Sequence, residues 1–364
     1  MEQDGAAAVQ VGGDDAVDGL GGGARRLSVY VPLLVSALLT LPVPRLARRL
    51  APRPAAWALA CAALVTAAGW TGSLALLAFT GIAQIPQVAA EGHWSVRALR
   101  AQDPVHLTVA AVSALLLAVS LVRLAAAALR HVRQVARARR ECARLPGDTE
   151  LAVLDDDAPL AFALAGTPGR IVVSRGMLRC LDDDERSALL AHERAHLNAG
   201  HHRFLTLWRL TAAVNPLLRP LADAGAFVLE RWADEAAAER VGDRAVVARA
   251  VGRAALASAG VSRPSVLAAT GGVVPQRVRA LLAPPPPRRT LPFVAGALLL
   301  TLCFVSLADA ASDSDEMVDS AKRVLCAAHR APAGTTAATT DHRRRRHDFC
   351  CGDRDRAEIQ GHRV

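Results

Sequence analysis

The sequence predicts a mainly α-helical membrane protein with four transmembrane helices and a cytosolic α+β domain inserted between the third and the fourth. Two observations carry that reading. Hydrophobic residues make up 52% of the 364-residue chain and charged residues 21%, giving a mean hydropathy of +0.23, a combination rare in water-soluble globular proteins. The apolar excess is also uneven. Four charge-poor runs stand apart from one stretch of mixed polarity, residues 131–289, which alone is large enough to build a soluble core. Wholesale disorder, a collagen-like chain and a disulfide-dense secreted fold are excluded by the same numbers.

A helix needs about 20 apolar residues, roughly 17–25, to cross the hydrocarbon layer. Residues 27–43, 55–80, 105–129 and 291–308 fit, which divides the chain into a Gly- and Asp-rich disordered leader (1–26), three spans (27–130), the soluble domain (131–289), a fourth span (290–308) and a polar, disordered tail (309–364). A cleaved signal peptide is not expected, because arginines from Arg45 to Arg53 occupy the place of a cleavage site. Fourteen arginines flank the spans on one side, in residues 45–53, 130–144 and 277–289. Six basic residues flank them on the other, in residues 25–26, 97–100 and 322–323. The richer side faces the cytoplasm, so the N-terminus and the tail are expected outside. The expected setting is a bacterial cell membrane with the lipid bilayer as one partner. Arg123, near the inner end of the third span, can snorkel to the interface.

The net charge of +9 and pI of about 10.1 come almost wholly from arginine, Lys322 being the only lysine. Such usage reflects a GC-rich genome, and no direct nucleic-acid binding is expected. The seven cysteines form no CxxC pair.

Within the soluble stretch, Leu151–Leu154 reads as a strand. Residues 160–165 and Arg170–Ser174 flank a Gly-Thr-Pro-Gly turn at 166–169, the pattern of a hairpin. A helix follows with Asp182 as N-cap and Glu185 three residues on, a capping-box spacing, and runs to about Gly200. A second helix covers 203–214 and stops at Asn215-Pro216. A third begins after Pro220 and ends at Gly242. Residues 284–287, all proline, make a stiff spacer before the last span.

The first of these helices carries His192-Glu193-Arg194-Ala195-His196, an HExxH pattern. Histidines at i and i+4 present imidazoles from one face, which suits a tetrahedral zinc ion, and the intervening glutamate can take a proton from water beside the metal. A catalytic zinc needs a third protein ligand. His202 has the spacing of an extended HExxHxxGxxH motif, but Ala199 stands where that motif turns on glycine, and no methionine follows at a suitable distance; His202 reads better as an interfacial histidine. Glu230 and Asp234, at i and i+4 on the third helix, could serve as ligand and as acceptor of a ligand histidine's spare N–H. They could equally belong to an ordinary charged face with Arg231, Glu235 and Glu239.

HExxH followed by Glu230-Arg-Trp-Ala233-Asp234, an ExxAD pattern, resembles the gluzincin membrane proteases: the HtpX-type and CAAX prenyl proteases and the BlaR/MecR-type sensor-transducer peptidases. Residues 159–166 and 170–178 resemble the hairpin that precedes their zinc helix, and three spans, a cytosolic peptidase segment and a fourth span match the BlaR/MecR-type layout. The resemblance covers roughly residues 27–308. It implies Zn²⁺ held by His192, His196 and Glu230, Glu193 as general base, Asp234 behind a ligand, and Phe162, Ala163 and Leu164 as an edge strand for an extended substrate. It also implies a protein or peptide substrate, by analogy a transcriptional repressor, cleaved in regulated proteolysis. Membrane quality control is the nearest alternative, and a non-catalytic signalling scaffold the alternative of a different class. The 56 residues after the fourth span hold no Ser-x-x-Lys, so a β-lactam sensor is not expected. Nothing in the sequence fixes an oxyanion-stabilising residue, Arg231 and His201 being no more than guesses. In the tail, His342, the arginines of 343–346, His347, Cys350 and Cys351 read as solvated, with Cys326 available to pair with Cys350 or Cys351. Cys61 and Cys303 read as small apolar fillers.

Overall fold

The computed structural model describes residues 28–97, 99, 107–144, 149–164, 166, 169–259, 273–285 and 290–330. The expected leader, the centre of the Gly-Thr-Pro-Gly turn, the end of the polyproline spacer, and His342, His347, Cys350 and Cys351 of the tail lie outside those residues. Among the described residues three helices are long and apolar enough to cross a membrane, within Pro52–Ile82, Leu107–Glu141 and Leu291–Cys326.

The first expected span differs. Residues 28–47 form a 3-10 turn (Ser28–Tyr30), α1 (Val31–Leu39) and α2 (Val43–Ala47). At about 1.5 Å per residue, the nine residues of α1 reach roughly 14 Å, half the hydrocarbon thickness. An apolar count over 27–43 overlooks Pro42 and Pro44, which stand at the break and cannot carry one helix through it. Among the described residues there are thus three candidate spans preceded by a broken apolar segment, and a fourth continuous span is not shown.

Two further expectations change at helix ends. The third expected span and the start of the soluble domain are one helix, Leu107–Arg144. The last helix runs on from Leu291 to Arg330, so residues 309–330 are helical rather than a disordered tail. Ala321 is fully buried there, with Met317 packed beside it.

Two compact units emerge. The smaller takes residues 76–112 and those after 310. It includes α4 (Pro86–Gly92) and a small core of Ala83, Leu99 and Ala321, to which Trp94 adds a hydrogen bond from Nε1 to the Ala83 carbonyl at 2.9 Å. Helices α3 (Pro52–Ile82), α5 (Leu107–Arg144) and α12 (Leu291–Arg330) each give residues to both units.

The larger unit holds the α+β part. Strands β1 (Leu151–Leu154), β2 (Ala161–Leu164) and β3 (Arg170–Ser174) form a sheet of order β1-β3-β2, β1 parallel and β2 antiparallel to β3. The hairpin expected from sequence is there, and β2 is an edge strand. After α6 (Arg175–Arg179) comes α7 (Asp183–Asn198), whose capping box has both hydrogen bonds in place: Glu185 N to Asp182 Oδ1 at 2.9 Å and Asp182 N to Glu185 Oε2 at 3.1 Å. Ile171, Val173 and Met177 pack the sheet on Leu189 of α7.

Gly200, in the left-handed region at φ 63°, turns the chain into α8 (His201–Val214), which starts two residues earlier than the sequence suggests. Such a backbone favours glycine. A 3-10 turn at Pro216–Leu218, capped by Asn215, leads into α9 (Arg219–Val241). Pro220 sits inside its first turn, where no intrahelical N–H is needed. Gly225 lets α9 approach α8: a Cβ there would lie 2.6 Å from the Trp208 ring. The lower part of α3 joins this core through Ala56, Leu59, Ala60 and Ala63 against Phe204, Trp208, Leu221 and Val228. Helices α10 (Arg244–Ala259) and α11 (Val274–Leu282) complete the unit by packing Val247 and Leu281 on Ala188 and Ala237.

Candidate metal centre

The centre lies where α7 crosses α9. His192 and His196 lie one turn apart on α7, and their Nε2 atoms are 3.1 Å apart. Glu230 of α9 brings Oε2 to 3.6 Å from His192 Nε2 and Oε1 to 3.5 Å from His196 Nε2. Each residue offers one ligand atom, all within 4.8 Å of one another. Tetrahedral bonds of 2.0–2.1 Å place ligand atoms about 3.3 Å apart, so the two nitrogens and the carboxylate fit a zinc ion in number, type and spacing. His202 is exposed and is no part of this group.

Behind the ligands stands a second set of residues. Asp234 Oδ1 lies 3.0 Å from His192 Nδ1, within ion-pair distance but without the alignment of a hydrogen bond from that nitrogen. His201, buried at the start of α8, brings Nδ1 to 2.9 Å from His196 Nδ1. With His196 Nε2 turned to the other ligands, its Nδ1–H donates to His201, so His201 carries its own proton on Nε2. That nitrogen has no hydrogen-bond partner among the described residues and lies in the aromatic group where the Trp232 ring centroid is 4.8 Å away. His196 thus has a second imidazole hydrogen-bonded behind it, and His192 has a carboxylate within ion-pair distance.

Arg277 of α11 is the residue the sequence did not single out. Its guanidinium grips Asp234 through Nε (2.8 Å) and Nη2 (2.6 Å) and reaches Glu230 Oε2 through Nη1 (2.8 Å). The available signal was an arginine one turn before Leu281 on the buried stripe of an otherwise amphipathic helix. With His192 neutral, as a metal ligand must be, ionised Glu193, Glu230 and Asp234 against Arg277 leave a formal excess of two negative charges, the complement of a divalent cation.

The electrostatics follow from burial and these pairs. Burial alone would lower the His192 pKa, but Asp234 and Glu230 overcome it and push it up to about 10. Burial, with His192 nearby, brings His196 down to about 3, and burial brings His201 down to about 4. Burial would raise Glu230 and Asp234, yet the contact with His192 holds Glu230 well below the usual carboxylate range, and Arg277 does the same for Asp234. Metal uptake must therefore displace the proton of His192.

Glu193 is buried beside the ligands, its pKa raised chiefly by desolvation and further by Glu230, although the backbone N–H of Ala163 donates to its carboxylate. That contact brings the edge strand to the general-base candidate. Of the expected strand residues, Phe162 is exposed while Ala163 and Leu164 are half-buried. Arg231 is directed away from the centre: Nη1 donates to the carbonyls of Ala47 (3.4 Å), Arg48 (3.0 Å) and Leu50 (3.1 Å), which rules it out as a group at the metal. The loose end of α2 thereby gains a cap, and α9 is joined to the broken apolar segment.

Residues 126–263 match the family model described as Peptidase family M48, a stretch that includes α7, β2 and α9 but stops before Arg277. No curated protein and no solved structure matches the chain. The family match supports a metallopeptidase of the M48 family for the part of the chain that builds the centre.

Proposed function

We propose that this chain is an integral-membrane zinc metalloendopeptidase that hydrolyses protein or peptide substrates on the cytoplasmic side of a bacterial cell membrane. The observation that carries the reading is the convergence of His192 Nε2, His196 Nε2 and the Glu230 carboxylate within 4.8 Å, inside the matched stretch. Zinc bound there supplies Lewis acidity that polarises a peptide carbonyl and acidifies water. Glu193, raised in pKa and adjacent to the ligands, takes the proton of the attacking water and passes it to the leaving amine. The open side of β2 at Phe162, Ala163 and Leu164 offers backbone groups to an extended substrate, binding it by strand addition with little demand on its sequence.

The proposed topology has three spans within α3, α5 and α12, with residues 28–47 not crossing. Arg25 and Arg26 then join the fourteen cytoplasmic arginines, leaving four basic residues opposite, a stronger bias than the four-span reading gives. The proposed role is regulated proteolysis of the BlaR/MecR type, with a transcriptional repressor as one candidate substrate.

The test of the chemistry is Glu193→Gln. The variant is expected to keep zinc and lose hydrolysis of an unfolded protein such as casein by at least 10²-fold, the lower end of general-base contributions. Hydrolysis retained at wild-type rate with zinc bound would overturn the mechanism.

A further inference from the structure

Away from the metal centre, a cavity of about 540 Å³ opens between α5, α8 and the start of α9. Arg123, Arg130, Arg209 and Arg219 line it with His131, and Asp223 is the one carboxylate in its wall. Among the described residues none of these four arginines forms an ion pair with a carboxylate. Four arginines lining one cavity with a single carboxylate leave it net positive, and an anion would relieve their mutual repulsion. Arg123 is held in place by donating from Nε to the Ala213 carbonyl at 3.0 Å, so it crosses from α5 to α8 instead of extending to solvent as a snorkelling arginine would.

The position on α5 says which anion. Between Leu107 and Leu129 the only charged residue is Arg123, and from Arg130 onward the helix is basic. Arg123 and Arg130 are seven residues apart, about 10 Å along the axis, and the cavity lies across that change. This is the depth at which a bilayer changes from hydrocarbon to headgroup phosphate. Val122 (68% exposed), Leu129 (57%) and Val132 (63%) are bare on the same stretch of helix, an apolar surface suited to acyl chains.

We propose that this cavity binds the headgroup phosphate of an anionic phospholipid. Resting on the membrane-spanning reading of α5, the proposal adds a ligand to it. Arginine forks pair with phosphate oxygens two at a time, and basic pockets between helices at the cytoplasmic boundary are suited to anionic headgroups. A lipid seated there ties α5 to α8 and α9, the helices that carry His201 and Glu230, and so links membrane composition to the rigidity of the metal centre.

The experiment uses full-length protein in detergent, with zinc content as the check on folding and carbonate extraction of membranes as the check on spanning. Native mass spectrometry compares retention of phosphatidylglycerol and phosphatidylcholine by wild type, by Arg209→Gln/Arg219→Gln, and by Arg139→Gln/Arg140→Gln, which removes equal charge from α5 outside the cavity. Wild type and the Arg139/Arg140 variant should prefer phosphatidylglycerol, and the Arg209/Arg219 variant should lose about thirtyfold in retention, in line with the contribution of two basic residues near anionic headgroups. Should that variant lose zinc through misfolding, Arg209→Lys/Arg219→Lys, which keeps the charge and loses the fork, is expected to retain lipid at an intermediate level. Equal loss in the two glutamine variants, no preference in wild type, or no difference between the lysine variant and wild type would overturn the site. Displacement of phosphatidylglycerol by millimolar inorganic phosphate would reassign it to a free anion, and release of the protein by carbonate would refute both the spanning reading and the proposal.

Discussion

The middle of α9 is held from two regions by two buried arginines that do opposite things. On the side of α11, Arg277 pairs with the carboxylates of Asp234 and Glu230, which push its pKa up despite burial. On the side of α2, Arg231 donates to backbone carbonyls and lies over the Phe227 ring, and desolvation pulls its pKa down. The α11 region is therefore electrostatic support for the metal centre, keeping two adjacent carboxylates ionised. The α2 region is a mechanical joint that ends a short helix and fixes α9 to the broken apolar segment at 28–47. Neighbouring positions in one sequence motif thus serve chemistry and attachment separately.

The largest expected effect comes from breaking the first grip. Arg277→Ala strips buried Asp234 of its two-point partner and half-buried Glu230 of one contact, leaving His192 as their remaining cation, at a cost of about 3 kcal/mol in stability. Chemical denaturation of the zinc-free protein should show that loss, and added zinc should restore part of it, because the cation replaces the missing charge. A loss that zinc leaves untouched would mean that Arg277 is structural only.

Arg231→Ala should cost less, about 1.5–3 kcal/mol, since three hydrogen bonds to neutral acceptors are lost and no charge is stranded. Its zinc affinity should match wild type, measured by competition with a chelator of known affinity. A matching fall in zinc affinity would erase the contrast between the two regions.

The smallest effect sharpens the comparison within the centre itself. His201→Ala removes the group that orients His196 and should weaken zinc binding by about 10–100-fold, as outer partners of ligand histidines do, while leaving Asp234 and His192 as they are. Unchanged affinity would show that packing on α7 alone orients His196.

How much of this was legible in the sequence depends on how local the cause is. The capping box of α7, the β2–β3 hairpin and the Gly242 cap of α9 are set by residues within a few positions of one another, and all three are where the sequence puts them. His192 and His196 share a helix face by spacing alone. Glu230 needed a resemblance, because one charged face of a helix looks like another until α9 is laid against α7. Arg277 pairs with a residue 43 positions away, and that pairing exists only once α11 has packed. The orienting role of His201 depends on the left-handed turn at Gly200, which folds the start of α8 back beneath His196. The break at 28–47 has the opposite character: an apolar count gives no weight to Pro42 and Pro44, which stand where α1 and α2 part.

The central claim is the metal site, and bound zinc per chain tests it most directly, measured on detergent-purified wild type beside Glu230→Ala. The account predicts about one zinc in the wild type and loss of most of it in the variant, as expected when a three-ligand site loses its carboxylate. Full zinc in Glu230→Ala would contradict it and return His202 to consideration as the third ligand.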